Sequence, residues 1–185
     1  MRGKFRLIGF PRKIAILLFL STGIVSCGNE SSDHAGTAIA FSKGSFSSTL
    51  VEAQITSLFA QIYDTVLPTL SADQVGGKTL FAPNNAAIEK YLAENSVTIE
   101  DLIAQPEIAT QLVLGHLFER TISATELLNL NGESVAMLNG STFSIDTSSG
   151  STQLVNGEGV ASTLIAIDLV STDGVVHIID GVLQP

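Results

Sequence analysis

The side chains in this 185-residue chain that could do chemistry are three histidines, a single cysteine and a scatter of acids. His116 stands four residues after Leu112, which puts the two on one face of a helix. Such an imidazole is expected at the edge of the core, hydrogen-bonded to backbone. His177 alternates with Val176 and Ile178, so a strand would point it away from both. Asp180 is near enough to pair with His177 and fix the last strand. His34 falls in a polar stretch and reads as solvated. Catalysis needs a nucleophile or base held beside an orienting partner, and neither a G-x-S-x-G elbow nor an H-E-x-x-H pair occurs. Gly76-Gly77-Lys78-Thr79 imitates the end of a phosphate-binding loop. However, Ala72 stands where the first glycine belongs, and the segment leads into a strand instead of opening a helix. Asp168, Asp173 and Asp180 are too dispersed for a calcium loop, which packs its oxygen ligands at alternate positions. No catalytic residue, metal site or cofactor is expected.

Charge narrows the partners. The chain has 9 Lys+Arg against 18 Asp+Glu, a net −9. Five of the cations (Arg2, Lys4, Arg6, Arg12 and Lys13) lie in the first 26 residues, so residues 27–185 carry −14. Nucleic-acid binding is excluded, because neutralising phosphates needs a basic patch and four dispersed cations do not form one. Beyond residue 26 there are two tyrosines (Tyr63 and Tyr91), six phenylalanines and no tryptophan. Most of these rings fit core positions, which argues against a stacking platform for sugars or bases. Asn139-Gly140-Ser141 has the form of a glycosylation sequon, and a hairpin turn accounts for it better.

The basic N-terminus precedes an apolar run, Ile14 to Leu20, continued to Val25. About a dozen residues fall short of the roughly 20 that span a bilayer. A short apolar run behind a positive segment is the pattern of a secretory signal. Ile24-Val25-Ser26-Cys27 resembles the lipobox of bacterial lipoproteins, in which the cysteine is lipidated and becomes the mature N-terminus. The resemblance implies a signal peptide over residues 1–26 and a membrane anchor at Cys27. Two or three acyl chains hold a protein stably where one does not. Gly28, rather than Asp, follows the cysteine, and by resemblance to enterobacterial sorting this points to the outer membrane. Residues 27–46, rich in Gly, Ser, Ala, Asn and Asp, read as a flexible tether with an r.m.s. span of roughly 25 Å.

The remainder is long enough for one core without disulfides or structural metals. Thr49 and Glu52 form a capping-box pattern opening an amphipathic helix through Val51, Ile55, Leu58/Phe59, Ile62 and Val66, which Pro68 stops. Gly76-Gly77 turns into a strand at Thr79–Ala82. Asn84-Asn85 then caps a helix with Ile88, Tyr91 and Leu92 on one face. Thr98 and Asp101 suggest a further helical turn. Pro106 opens a helix burying Ile108, Leu112 and Val113, and Ser123 with Glu126 caps another. From residue 130 the period becomes two. Asn131-Gly132, Asn139-Gly140, Asn156-Gly157 and Asp173-Gly174 have the composition of type I′ turns between strands 134–138, 142–146, 152–155, 163–170 and 175–179. Early helices and late antiparallel strands predict an α+β fold.

Two segments carry a family resemblance. Thr79-Leu80-Phe81-Ala82-Pro83-Asn84-Asn85-Ala86-Ala87-Ile88 resembles the first box of the fasciclin (FAS1) domain, T-x-F-A-P-T-N-x-A-F. Asp173 to Pro185 resembles its closing box, N-G-x-x-H-x-I-D-x-V-L-x-P. Leu114-Gly115-His116 occupies the place of the central Tyr-His motif. The resemblance covers about residues 47–185 and implies a single domain with N-terminal helices packed on an antiparallel sheet or wedge. For Phe81, Pro83, Asn85, His116, His177, Asp180 and Pro185 it implies structural roles. Asn84, Ile88, Gly115 and Asp173 depart from the pattern. Gly115 removes the tyrosine associated with integrin-type adhesion in animal relatives, so that activity is not carried over. The implied function is non-catalytic adhesion, or interaction with an extracytoplasmic protein or glycan. A small-ligand or polysaccharide-binding envelope protein is the alternative. The Asn84-Asn85 cap and the Gly115-His116 loop are the expected surface patches.

Overall fold

The computed structural model describes residues 44–184. The segment read as a signal peptide, most of the segment read as a tether with Cys27 and His34, and Pro185 lie outside the described residues.

Local capping chemistry sets the helices. Helix α1 (Phe46–Glu52) is capped by Ser45, whose hydroxyl accepts from the Ser48 amide. It precedes α2 (Ser57–Val66), a 3-10 turn at Leu67–Thr69 and α3 (Ala72–Val75). Strand β1 (Lys78–Pro83) leads to α4 (Asn85–Glu94), where the Asn84 side chain accepts from the Ala87 amide at 2.8 Å. Then come α5 (Ile99–Ile103), α6 (Pro106–Leu114), β2 (Leu117–Phe118) and α7 (Ala124–Asn129). Reciprocal capping boxes join Ser71 to Gln74, Thr98 to Asp101 and Ser123 to Glu126. Five strands close the chain: β3 (Ser134–Ala136), β4 (Thr142–Asp146), β5 (Gln153–Val155), β6 (Ala161–Val170) and β7 (Gly174–Ile179).

The expected single helix from Thr49 to Val66 is two. Gln54 takes a left-handed φ of 54° between them, and the Thr56 hydroxyl turns back to donate to the Leu50 carbonyl at 2.7 Å. Val51 and Ile55, assigned to the apolar face, are 58% and 48% exposed because the break rotates them outward. The tether boundary also moves. Phe46 is fully buried and opens α1, so the core starts inside the segment read as linker.

The sheet has seven strands in the order β2-β1-β7-β6-β5-β4-β3. It is mixed, not antiparallel as expected. β1 and β7 run parallel over six pairs, from Lys78 opposite Gly174 to Pro83 opposite Ile179. A Cβ on Gly174 would overlap the Lys78 carbonyl oxygen, and its φ of 150° is one that L side chains rarely adopt, so the pairing requires glycine there. A bridge from Phe118 to Met137 brings the ends of the sheet together as a wedge. Leu80, Ala82, Val176 and Ile178 pack against the α1, α2 and α6 side chains, whereas Phe81 and Ile179 join Phe143, Ile145 and Leu154 in a second core. The central pair therefore buries both faces.

The hairpin turns differ from type I′. Gly132 and Gly140 have positive φ, but Asn131 and Asn139 do not, and Gly159 rather than Gly157 takes the left-handed position. The asparagines act instead through their side chains. Asn139 Oδ1 accepts from the Ser141 amide, and Asn156 Oδ1 from those of Glu158 and Val160.

Candidate functional site

The motif residues converge on the central strand pair. Phe81 of β1 and His177 of β7 are register partners, and their rings stack with centroids 5.6 Å apart. His177 Nδ1 accepts from the Asp168 amide at 3.1 Å, and Nε2 lies 3.0 Å from the Ile122 carbonyl oxygen. An amide on one nitrogen and a carbonyl on the other define a neutral ring protonated at Nε2. Burial holds its pKa below the ordinary histidine range, against the Ile122 carbonyl and the Asp168 charge, which raise it. The expected His177–Asp180 pair is not formed. Asp180 is exposed, and its Oδ1 accepts from the Thr163 amide at 2.6 Å, joining the end of β7 to β6. Asp180 follows the last residue of β7 and lies beside β6, so the neighbouring strand takes its carboxylate.

His116 follows α6 and is completely buried. Its Nδ1 lies 2.7 Å from the Leu112 carbonyl oxygen, and Nε2 accepts from the Leu183 amide at 2.9 Å. This ring is thus the opposite neutral tautomer, and it ties α6 to the C-terminal segment. Desolvation lowers its pKa to about 4, partly offset by the Leu112 carbonyl. Phe59 of α2 packs on the ring at 5.3 Å.

Asn85, the second residue of the cap pair, ties the α1–α2 connection down. Its Oδ1 accepts from the Leu58 amide at 3.0 Å, its Nδ2 donates to the Gln54 carbonyl at 3.3 Å, and its own amide donates to the Ile55 carbonyl at 2.6 Å. Pro83 is buried where β1 ends beside Ile179.

Two residues hold this network beyond those given structural roles from the sequence. Thr79 is fully buried; its hydroxyl donates to the Arg120 carbonyl and accepts from the Ile122 amide, both at 2.8 Å. Asp168 holds φ at 56° in an irregular stretch of β6, where its carboxylate accepts from the first amide of α7 and its own amide serves His177. Thr79 opens the first motif box, but neither residue's bonding role has a local signature, because every one of these partners is distant in sequence.

The expected surface at Gly115-His116 is not one. His116 is buried, and a Cβ on Gly115 would stand 2.6 Å from Asn139 Nδ2, which occupies that space. Beside it lies a shallow, open depression of about 510 Å³ lined by Tyr91, Ile108, Gln111, Leu112, Asn139 and Leu183, among others. Ile108, expected in the core, is 47% exposed at its rim, while Ala109, Leu112 and Val113 carry the buried face of α6. Among the described residues no cluster of three or more His, Cys, Asp or Glu could hold a metal ion.

The helices and the mixed sheet wedge have the fold of a fasciclin domain. The chain belongs to the fasciclin family: the Fasciclin domain matches over residues 53–185. It is 33% identical over 110 residues to transforming growth factor-beta-induced protein ig-h3 of Sus scrofa, covering 60% of this chain and 15% of that protein. It is 31% identical over 130 residues to Stabilin-1 of Mus musculus, covering 70% of this chain and 5% of that one. The chain thus spans only a small part of the length of these relatives. In three dimensions it is similar to a FAS1 domain pair from the insect cell adhesion molecule fasciclin I, with a TM-score of 0.50 and 22% identity over 71% of this chain and 44% of that one.

Proposed function

We propose that the chain is an extracytoplasmic lipoprotein, held at the outer membrane by lipid on Cys27, whose fasciclin domain is a non-catalytic adhesion module. Its partner is another extracytoplasmic protein or a glycan. The observation that carries this reading is that all four ring nitrogens of His116 and His177 have backbone partners inside the fold. A base that hydrogen-bonds only to its own backbone has no substrate to reach, which leaves recognition to the surface. The similarity to a domain pair from a cell adhesion molecule supports the same reading. Among the described residues no helix is long and apolar enough to cross a membrane.

Residues 27–185 carry −14, so attraction to an anionic surface cannot supply the binding energy, and local shape must. The test is attachment of cells displaying the full chain against cells displaying only residues 1–46. Equal attachment refutes the adhesion role. Separately, Cys27→Ser is expected to release the protein from the detergent-extracted membrane fraction. Retention of that variant, with no lipid mass on the wild type, refutes the anchor. The second reading, a polysaccharide-binding envelope protein, is favoured by one observation: the open depression beside α6.

A further inference from the structure

The sequence contains three Asn-Gly pairs, Asn131-Gly132, Asn139-Gly140 and Asn156-Gly157. In such a pair the glycine nitrogen can attack the side-chain amide carbon of the asparagine before it, with no β-carbon in the way. The reaction is intramolecular and needs no enzyme, only a free nitrogen and donors for the oxygen that becomes charged. The fold treats the three pairs differently. The Gly132 amide donates to the Ile145 carbonyl at 2.7 Å, and the Gly140 amide to the Met137 carbonyl at 2.9 Å. Gly157 is exposed, and among the described residues its amide has no partner. A Cβ built on it would meet nothing within 4 Å, so the space around it is open.

The donors are present at the same pair. Asn156 Oδ1 accepts from two main-chain amides, that of Glu158 at 3.1 Å and that of Val160 at 2.8 Å. They point at the oxygen on which negative charge develops when Cγ is attacked. Asn131 Oδ1 accepts from one amide, that of Thr147. Asn139 Oδ1 accepts from the Ser141 amide and hydroxyl, but the nitrogen of its glycine is held. Of the three pairs, Asn156-Gly157 alone combines a free nitrogen with two donors on the oxygen.

We propose that Asn156 is a site of spontaneous deamidation in the folded domain, and that the change cuts a tie between the β5–β6 turn and the C-terminal segment. The Gly157 nitrogen gives its proton to water and bonds to Asn156 Cγ. The Cγ–Nδ2 bond breaks, and the nitrogen leaves as ammonia with a proton returned from water. One water molecule then opens the cyclic imide at either carbonyl, giving aspartate or isoaspartate. The sum is one water consumed and one ammonia released, with nothing oxidised or reduced. Before the change, Asn156 Nδ2 donates to the Gln184 carbonyl at 3.2 Å. The carboxylate formed has no proton to give, so two acceptors face each other. Among the described residues, the bond from the Leu183 amide to His116 Nε2 then remains to hold this end of the chain.

The experiment is timed incubation of the purified full chain in detergent at mildly alkaline pH, folded and in urea. Digestion after glutamate and fragment mass spectrometry then read the conversion at each Asn-Gly pair. In urea the three pairs are expected to convert at similar rates, since each is the same dipeptide. Folding should slow Asn131 and Asn139 about tenfold or more, the factor that one net hydrogen bond on the attacking nitrogen gives. Asn156 should keep its urea rate or exceed it. Val160→Pro, which removes one donor to Oδ1, should slow Asn156 about 2- to 10-fold, with circular dichroism checking the fold; the comparison with urea does not depend on this variant. Asn156→Asp should speed hydrogen exchange at the Leu183 amide. Conversion of folded Asn131 or Asn139 as fast as Asn156, or an Asn156 rate that falls as far as theirs on folding, overturns the proposal. So does a folded Val160→Pro chain that converts at the wild-type rate, or exchange at Leu183 unmoved by Asn156→Asp.

Discussion

Acid should unfold this domain earlier than its carboxylates alone would. His116 is neutral, wholly buried and bonded on both nitrogens, with a pKa of about 4 against an ordinary 6.5. Protonation turns the acceptor Nε2 into a donor that faces the Leu183 amide, another donor. Between pH 6.5 and 4 the unfolded chain therefore binds more protons at this residue than the folded one, so stability falls as pH falls. The contribution is present in full above pH 6.5, shrinks by about 2–3 kcal/mol on going from pH 7.5 to 4.5, and stops changing below about pH 4. His177 shifts in the same direction and adds to the slope. The lowered pKa values of Asp101, Glu126 and Asp146 act at lower pH, where those carboxylates protonate in the folded state. The assay is urea unfolding followed by circular dichroism at pH 7.5, 6.0 and 4.5, on wild type and His116→Gln. Glutamine keeps a donor and an acceptor but cannot titrate. It should be less stable than wild type at pH 7.5 yet lose most of the slope between pH 6.0 and 4.5. A wild-type stability equal at pH 7.5 and 4.5, or a glutamine variant with an undiminished slope, would refute the reasoning.

Gly174→Ala should be the most damaging small substitution, because its Cβ overlaps the Lys78 carbonyl at a φ of 150°. Overpacking and backbone strain together should cost about 3–5 kcal/mol, read as a lowered Tm or loss of the folded signal. Thr79→Val keeps the shape but removes the hydroxyl that bridges Arg120 and Ile122. A loss of about 1–3 kcal/mol in urea unfolding is expected, and a neutral result would show that solvent replaces the bridge. Asn85→Ala should cost a similar amount. In hydrogen exchange it should also release the Leu58 amide and the α1–α2 connection before the sheet; exchange unchanged at Leu58 would mean that the Asn85 side chain does not hold that loop.

Much of the local structure is legible in the residues because its causes are local. A capping side chain reaches an amide three residues away, so Asn84, Thr98 and Ser123 could be read as helix starts from composition and spacing alone. The two motif boxes likewise pointed to the fasciclin fold, since each is a contiguous run. Where the candidate site depends on distant partners, the sequence is silent. Nothing between residues 78 and 179 announces that β1 and β7 run parallel, because periodicity records which face a side chain takes and not the direction of the neighbouring strand. Asp180 looks like a partner for His177 and is taken instead by Thr163, while Asp168, nine residues before the imidazole, supplies the bond. Val51, Ile55 and Ile108 satisfy an apolar period and still face water, since burial requires something packed opposite. The depression beside α6 exists only where α4, α6 and the C-terminal segment meet, and no one of them encodes it. The residues determined the elements, their caps and the family. Packing between remote segments decided strand direction, the partners of both histidines and the surface left open for recognition, because those energies belong to pairs that meet only once the chain has folded.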